Sequence, residues 1–108
     1  MFMRALPTAD VFQAIADPTR RGILEMLHGR EQPVSAVAER FPVTLSAISQ
    51  HMRVLREAGL VTVRRSGRER LYRLNPAPLR PVFDWVGQYG PFWQEKMDAL
   101  GEYLEEHP

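Results

Sequence analysis

The chain contains no cysteine among its 108 residues. Disulfides, thiolate metal sites and thiol redox sensing are therefore excluded. No apolar run approaches the roughly 18 residues that a membrane span requires, and the opening Met-Phe-Met-Arg-Ala-Leu-Pro is too short for a signal peptide. We expect a cytoplasmic protein with no membrane partner.

The sequence also lacks the residue patterns of an enzyme. It shows no nucleophile near a general base, no glycine-rich phosphate loop and no paired carboxylates in a setting that would shift their pKa. Its length predicts a single domain over residues 1–108, burying roughly 65% of the surface that the unfolded chain exposes. We expect a binding protein without a cofactor.

Charge is distributed unevenly along the chain, although the total is only +1. Residues 1–43 carry five basic and five acidic side chains, residues 44–75 carry seven and two, and residues 76–108 carry two and six. A basic segment of this kind is typical of a phosphate-binding surface, and an acidic one is poorly suited to that role.

The N-terminal part, residues 8–28, predicts two helices. Thr8 is a possible N-cap for the first helix. Asp17 can cap the second, with Pro18 at its first position, where a missing N–H costs nothing. Gly29 is expected to end it.

Residues 35–58 predict a helix-turn-helix. Ser35 is expected to cap a short helix that runs to about Phe41, and Thr44 to cap a second helix after a turn of two or three residues. Helical spacing predicts that the buried stripe of the second helix consists of Leu45, Ile48, Met52 and Leu55.

Residues 60–74 predict a β-hairpin, or wing. Alternation favours Val61, Val63 and either Leu71 or Tyr72 on one side with arginines on the other, and Gly67 supplies the positive φ of a tight turn. Residues 79–106 then predict two helices, interrupted at Gly90-Pro91, that form the most aromatic stretch of the protein. That is more apolar surface than a small domain hides by itself.

Three stretches resemble the ArsR family of bacterial winged helix-turn-helix repressors: residues 16–27, residues 46–60 and Tyr72-Arg-Leu74. The resemblance extends from about Val11 to Leu104. It implies a homodimer that binds an inverted-repeat operator in double-stranded DNA, with the first and last helices at the dimer interface and the wing beside the DNA. The fold expected is mainly α with a small β-hairpin: a winged helix-turn-helix with N- and C-terminal dimerisation helices.

Metal-sensing members of that family use cysteines on the helix before the recognition helix, or His and acidic ligands on the last helices. Here residues 35–40 contain no thiol, and the tail offers only His107 beside its carboxylates. We expect no metal site. The tail resembles the subgroup without known metal sites, whose members often repress their own operons.

The expected site has three parts. The recognition helix should contact DNA through Thr44, Ser46, Ala47, Ser49, Gln50, His51 and Arg53. The wing should contact it through Arg64, Arg65, Arg68 and Arg70. The dimer interface should comprise Val11, Phe12, Phe83, Val86, Tyr89, Trp93, Met97, Leu100 and Leu104.

Several alternatives stay open from the sequence. Arg20 and Arg21 fit either phosphate contacts or a solvated helix turn. His51 fits packing or a phosphate contact better than metal binding. The chain could be an effector-responsive sensor with a small-molecule or metal site between the subunits, with a ligand near Trp85, Tyr89 and Trp93 releasing DNA. It could also be a winged-helix protein-interaction module. The effector, if one exists, is unknown.

Overall fold

The computed structural model describes residues 10–107 of the chain. Within this range, short helices pack around a small antiparallel sheet, and a longer helix follows. In chain order the elements are α1 (Val11–Ala14), α2 (Pro18–Leu27), β1 (Gln32–Pro33), α3 (Val34–Ala38), α4 (Leu45–Glu57), β2 (Val61–Ser66), β3 (Glu69–Leu74), a 3₁₀ turn (Ala77–Leu79), α5 (Arg80–Gly87) and α6 (Gly90–Glu106).

Local capping residues define the first two helices. The backbone N–H of Gln13 donates to the Asp10 carboxylate at 2.8 Å, so Asp10 caps α1. Thr8, which we expected there, lies outside the described residues. Asp17 caps α2 as predicted, because its carboxylate accepts from the backbone N–H of Arg20 at 3.0 Å.

The third helix differs from the prediction. It begins at Val34 after Pro33, with no side-chain cap, so Ser35 lies inside the helix rather than at its cap. It ends at Ala38, and residues 39–44 connect it to α4 in place of the two or three residues expected. Pro33 explains the early start. Its ring holds φ at −72°, and with ψ at 157° the residue has the extended conformation of an N-cap.

The sheet has three strands, not the two of the predicted hairpin. The short strand β1 pairs antiparallel with β3, with Gln32 opposite Tyr72, so that β3 is central. The side chain of Gln32 also donates to the carbonyl of Met26 at 2.7 Å, which fixes β1 against the end of α2. The wing is therefore joined to the helical body along one edge.

Alternation in the hairpin resolves one prediction and corrects another. Val63 lies opposite Tyr72, which is buried, so Tyr72 rather than Leu71 completes the inner face. Arg65 lies opposite Arg70 on that same face, beyond the core. The prediction that the arginines share the opposite side was therefore wrong: they project from both faces.

The core lies between the helices and the inner face of the sheet. Three of the four predicted stripe residues of α4 are buried, but Leu45, which is the first residue of the helix, is 56% exposed. The buried residues are Ala14, Ile23, Leu24, Leu27, Val37, Ile48, Met52, Leu55, Leu60, Val61 and Tyr72.

The two C-terminal helices extend away from this core. They are interrupted at residues 88–89, not at Gly90-Pro91 as predicted, because Pro91 occupies the first turn of α6, where its missing N–H is tolerated. Every residue of α6 is exposed. The radius of gyration is 18.5 Å, whereas a compact chain of this length has about 13 Å.

Candidate nucleic-acid interface

Helix α4 is held rigidly at its start and along one face. Thr44 caps it, as predicted, with the backbone N–H of Ala47 donating to the Thr44 hydroxyl at 3.0 Å. Ile48, Met52 and Leu55 are at most 2% exposed. Because one face is packed, the backbone positions from which the opposite face projects its side chains are set by the body.

The exposed face of α4 carries the predicted recognition residues. Ser46, Ser49 and Gln50 are exposed and Ala47 is half-buried. Arg53 is exposed and pairs with Glu57 at 3.2 Å, one helical turn away. Small residues near the helix start and long donors after them leave a surface that can approach another molecule closely.

His51 lies at the edge of this surface. Its ring is half-buried, and its Nδ1 is 3.2 Å from Nη1 of Arg20. A guanidinium can only donate, so Nδ1 must be the acceptor and a neutral ring carries its proton on Nε2. His51, which was predicted to contact DNA, therefore also has a contact inside the protein, to Arg20.

The wing places three predicted arginines around its tip. Ser66 pairs with Glu69, which leaves Gly67 and Arg68 as a two-residue turn, and Gly67 has a φ of +62°. A positive φ at the first turn position is what such a hairpin needs and what glycine provides. Arg65, Arg68 and Arg70 are all exposed.

Arg64, the fourth predicted wing residue, is engaged elsewhere. Its Nε lies 3.0 Å from both oxygens of the Glu31 carboxylate, and its Nη2 also donates to that carboxylate. The hydrogen bond from Arg64 lowers the pKa of Glu31, and the same bond raises the pKa of Arg64. No sequence signal pointed to Glu31, because it lies 33 residues from its partner.

The base of the wing is fastened to the end of α4. Gly59 ends the helix with a φ of +78°. The side chain of Asn75 donates to the carbonyl of Gly59 at 2.9 Å, and its backbone N–H donates to the carbonyl of Leu60 at 2.8 Å. Asn75 was not identified from the sequence. It ties the last strand of the wing to the recognition helix.

Basic side chains are therefore concentrated on α4 and the wing. Of the seven arginines in residues 44–75, Arg53 and Arg64 are paired with carboxylates of the chain. Those at the wing tip form no ion pair with any residue from 10 to 107. They leave their charge available to an external anion.

The predicted dimer residues fall into two groups. Val11 is half-buried against the core. Phe12 is 43% exposed, and its ring lies edge-on to the Trp85 ring, with 6.3 Å between the ring centroids. The others lie on α5 or α6, except Tyr89, which is between these helices. All are about half exposed or more: Phe83, Val86, Tyr89, Trp93, Met97, Leu100 and Leu104.

Two other kinds of site are absent from the part of the chain that the structure describes. None of the helices in residues 10–107 combines the length and the apolar character needed to cross a membrane. The same range holds no group of three or more His, Asp or Glu side chains placed to share a metal ion.

Comparisons with known proteins agree on the type of protein. A helix-turn-helix domain family matches residues 15–64. The chain is 36% identical over 77 residues to the transcriptional repressor SdpR of Bacillus subtilis, covering 71% of this chain and 86% of that protein. It is 44% identical over 94 residues to the HTH-type transcriptional regulator Rv2034 of Mycobacterium tuberculosis, covering 87% and 85%.

A solved structure shares the fold at similar coverage. It is an ArsR-like transcriptional regulator from Rhodococcus sp. RHA1, with a TM-score of 0.68 and 34% identity over 89% of this chain and 88% of that one.

Proposed function

We propose that this chain, which belongs to the ArsR family of DNA-binding winged helix-turn-helix transcription regulators, is a homodimeric repressor. Its binding site is an inverted-repeat operator. Two-fold symmetry of the protein requires two-fold symmetry of the DNA site. Each subunit inserts α4 into the major groove and places its wing beside the backbone.

The observation that best supports a DNA contact is that Arg65 and Arg70 are cross-strand neighbours in the wing. The two lie directly opposite each other in the hairpin, both exposed. Like charges at opposed positions of an antiparallel pair destabilise the sheet. A phosphate backbone beside the wing removes that repulsion and gains two charge-assisted contacts.

The polar face of α4 supplies the sequence-reading part. A major groove about 12 Å wide admits a helix, and the exposed side chain of Gln50 can bond adenine N6 and N7 together. Arg53 reaches guanine or a phosphate once it leaves Glu57. Ser46, Ser49 and the capped start of the helix hold phosphates, with Thr44, Ala47 and His51 alongside.

The exposed tail supports the second copy as the partner. Its helices bury none of their large apolar side chains within the protomer, although a helix gains most of its stability in a protein by packing an apolar face. The tail is also acidic, with six acids against two bases, so it is a poor surface for DNA. Dimerisation through α1, α5 and α6 covers this surface and leaves α4 and the wing free.

We further infer that the protein acts by binding and not by catalysis, in the cytoplasm, since its relatives are named as transcription regulators. The protein-interaction alternative needs an apolar or acidic recognition face. The polar, basic face of α4 and the wing argues against it. The effector-responsive alternative would place a ligand by Trp85, Tyr89 and Trp93; loss of operator affinity with a change in tryptophan fluorescence would identify it.

The salt dependence of binding tests this proposal. DNA fragments are selected from random genomic DNA at physiological salt, and affinity for a recovered site is measured over a salt series. If each subunit neutralises three or four phosphates, the logarithmic slope should be about −5 to −7. A flat dependence would contradict phosphate binding.

Matched variants assign that slope to the wing. Replacing Arg65 and Arg70 together by Ala should reduce the slope by about 3 to 4, because a dimer then loses four phosphate contacts. Arg80→Ala is the control, since Arg80 pairs with Asp84 on α5, away from the wing. An equal loss in the control would place the DNA elsewhere.

A further inference from the structure

Arg20 connects α1 with α4, two helices whose relative orientation matters for the proposed function. Its Nε donates to the carbonyl of Ala14 at 2.8 Å and its Nη2 to the carbonyl of Gln13 at 3.0 Å. Both carbonyls belong to α1. The remaining contact, from Nη1 to His51, reaches α4, 31 residues further along the chain.

The α1 end of this link adjoins the proposed dimer surface. Phe12 on α1 is edge-on to Trp85 of α5, and both side chains are exposed. The backbone carbonyls that Arg20 binds follow Phe12 directly, in a helix only four residues long. A helix this short makes few hydrogen bonds of its own, and the Gln13 carbonyl also accepts from the backbone N–H of Ala16 at 3.2 Å. The two bonds from Arg20 therefore add to the few that hold the end of α1 in place.

The α4 end of the link adjoins the DNA-facing surface. His51 follows Gln50 in the recognition helix, and its Nδ1 faces Arg20 of α2. The contact is half-buried, so water competes less well for it than for a surface pair. The guanidinium is planar and presents its donors in a fixed fork, which restrains the two helices relative to each other.

We infer that Arg20 and His51 are positioning residues, which set the orientation of the recognition helix relative to the dimer surface and thereby the separation of half-sites that the protein accepts. This inference rests on the proposed dimeric operator binding. In a two-fold symmetric dimer, a rotation of α4 against α1 occurs in both subunits. It moves the two recognition helices in opposite directions and so changes the distance between them. A loosened link therefore broadens the accepted separation and leaves the base contacts of each half-site intact.

Operators that differ only in spacing measure this effect. Adding or removing one base pair between half-sites moves them by about 3.4 Å and rotates them by about 35°. We expect the wild-type protein to lose about tenfold or more in affinity on either change, comparable to a mismatched base pair. Arg20→Gln should reduce this spacing penalty to about threefold or less, because Gln cannot bridge both helices.

Arg21→Gln provides the matched control. Arg21 is the neighbouring residue of α2, and its Nη1 donates to the carbonyl of Ile15 at 2.8 Å, also at the end of α1, but it makes no hydrogen bond to α4. It should lower stability to a similar extent and leave the spacing penalty unchanged. Equal penalties in the Arg20 and Arg21 variants would reduce Arg20 to a structural clamp and overturn the inference.

Variants at His51 keep the test decisive if Arg20→Gln does not fold. His51→Leu removes the acceptor and should relax the spacing penalty, whereas His51→Gln retains an acceptor oxygen and should restore most of it. A general loss of phosphate contact at this position lowers affinity for all three operators alike, so the ratio between them is unaffected. A full penalty in His51→Leu would also overturn the inference.

Failure of the proposed function gives a different result. If the wild-type protein binds no inverted repeat, or binds as a monomer with no spacing penalty, both proposals are wrong. If the wild type shows the penalty and the variants retain it, only the link is wrong.

Discussion

Individual arginines of the basic surface differ in what they already bind. Arg53 and Arg64 have carboxylate partners in the chain, whereas Arg65, Arg68 and Arg70 have none among the described residues. A paired side chain must give up its partner before it contacts a phosphate. The wing tip should therefore contribute more to DNA affinity per residue than the strand that supports it.

Gln50 and Arg68 should have separable effects on DNA binding. Gln50→Ala should cost roughly 1–3 kcal/mol and relax the base preference at one position of each half-site, because it removes a bidentate base contact. Arg68→Ala should weaken all sequences about equally. Affinities for a panel of single-base operator variants check both. A changed base preference in the Arg68 variant would mean that the wing reads sequence.

Stability should depend on the ionisation of Asp17. The hydrogen bond from the backbone N–H of Arg20 lowers the pKa of Asp17 below its ordinary value of 3.8. A carboxyl whose pKa is lower folded than unfolded stabilises the protein fully above the unfolded value, and this stabilisation is lost as the pH falls through the folded value.

Asp17→Asn keeps a capping oxygen and removes the charge. At pH 7 it should lower the free energy of unfolding by about 0.3–1 kcal/mol, the usual size of a charge at a helix start. The difference from wild type should shrink below about pH 4, near the unfolded pKa of Asp. Urea denaturation at pH 7, 5 and 3 measures it. A difference that stays constant with pH would show that the charge contributes nothing.

At the scale of elements, local signals could be predicted and long-range ones could not. The start of α2 follows from Asp17-Pro18, since capping acts within three residues. Strand β1 has only two residues, too few to show any periodicity, and it exists because Gln32 meets Tyr72, 40 positions away. The exposed face of α4 followed from helical spacing, but the partners of Arg64 and His51 depend on tertiary contacts that no spacing encodes.

The wing should bind DNA more tightly when Glu31 is neutralised. Glu31→Gln frees Arg64, whose side chain is already 56% exposed, to contact a phosphate. One added contact per subunit should steepen the logarithmic salt slope by about 2 for a dimer and raise affinity at low salt for all sequences. The double variant with Arg64→Ala should lose this gain. Weaker binding by Glu31→Gln alone would mean that the ion pair is needed to hold the wing in place.

At the scale of the whole molecule, charge and apolar surface are separated. The basic segment lies on α4 and the wing, and the acidic, aromatic segment extends from the core in α5 and α6. The sequence predicted this division because charge can be counted along a chain. It also predicted more apolar surface in the tail than a small domain hides, but not which tail side chains stay exposed, since that depends on where the helices point.

A charge in the middle of α6 should separate the subunits. Leu100 is 51% exposed in the protomer. Leu100→Asp should raise the dimer dissociation constant roughly a hundredfold or more, because two buried leucines are lost in a symmetric interface. Sedimentation velocity measures the assembly state, and Gln94→Glu, a polar position on the same helix, is the control. An unchanged dimer in Leu100→Asp would place the interface elsewhere.

Because of the exposed tail, the strength of repression should depend on the amount of protein in a cell. In the proposed dimer, α5 and α6 of each chain gain most of their apolar packing from the second copy, so the stability of the tail depends on total concentration. At concentrations below the dimer dissociation constant, the number of dimers grows with the square of the number of chains. Doubling synthesis would then raise the concentration of operator-binding species about fourfold, so that a gradual change in expression is converted into a steep change in repression.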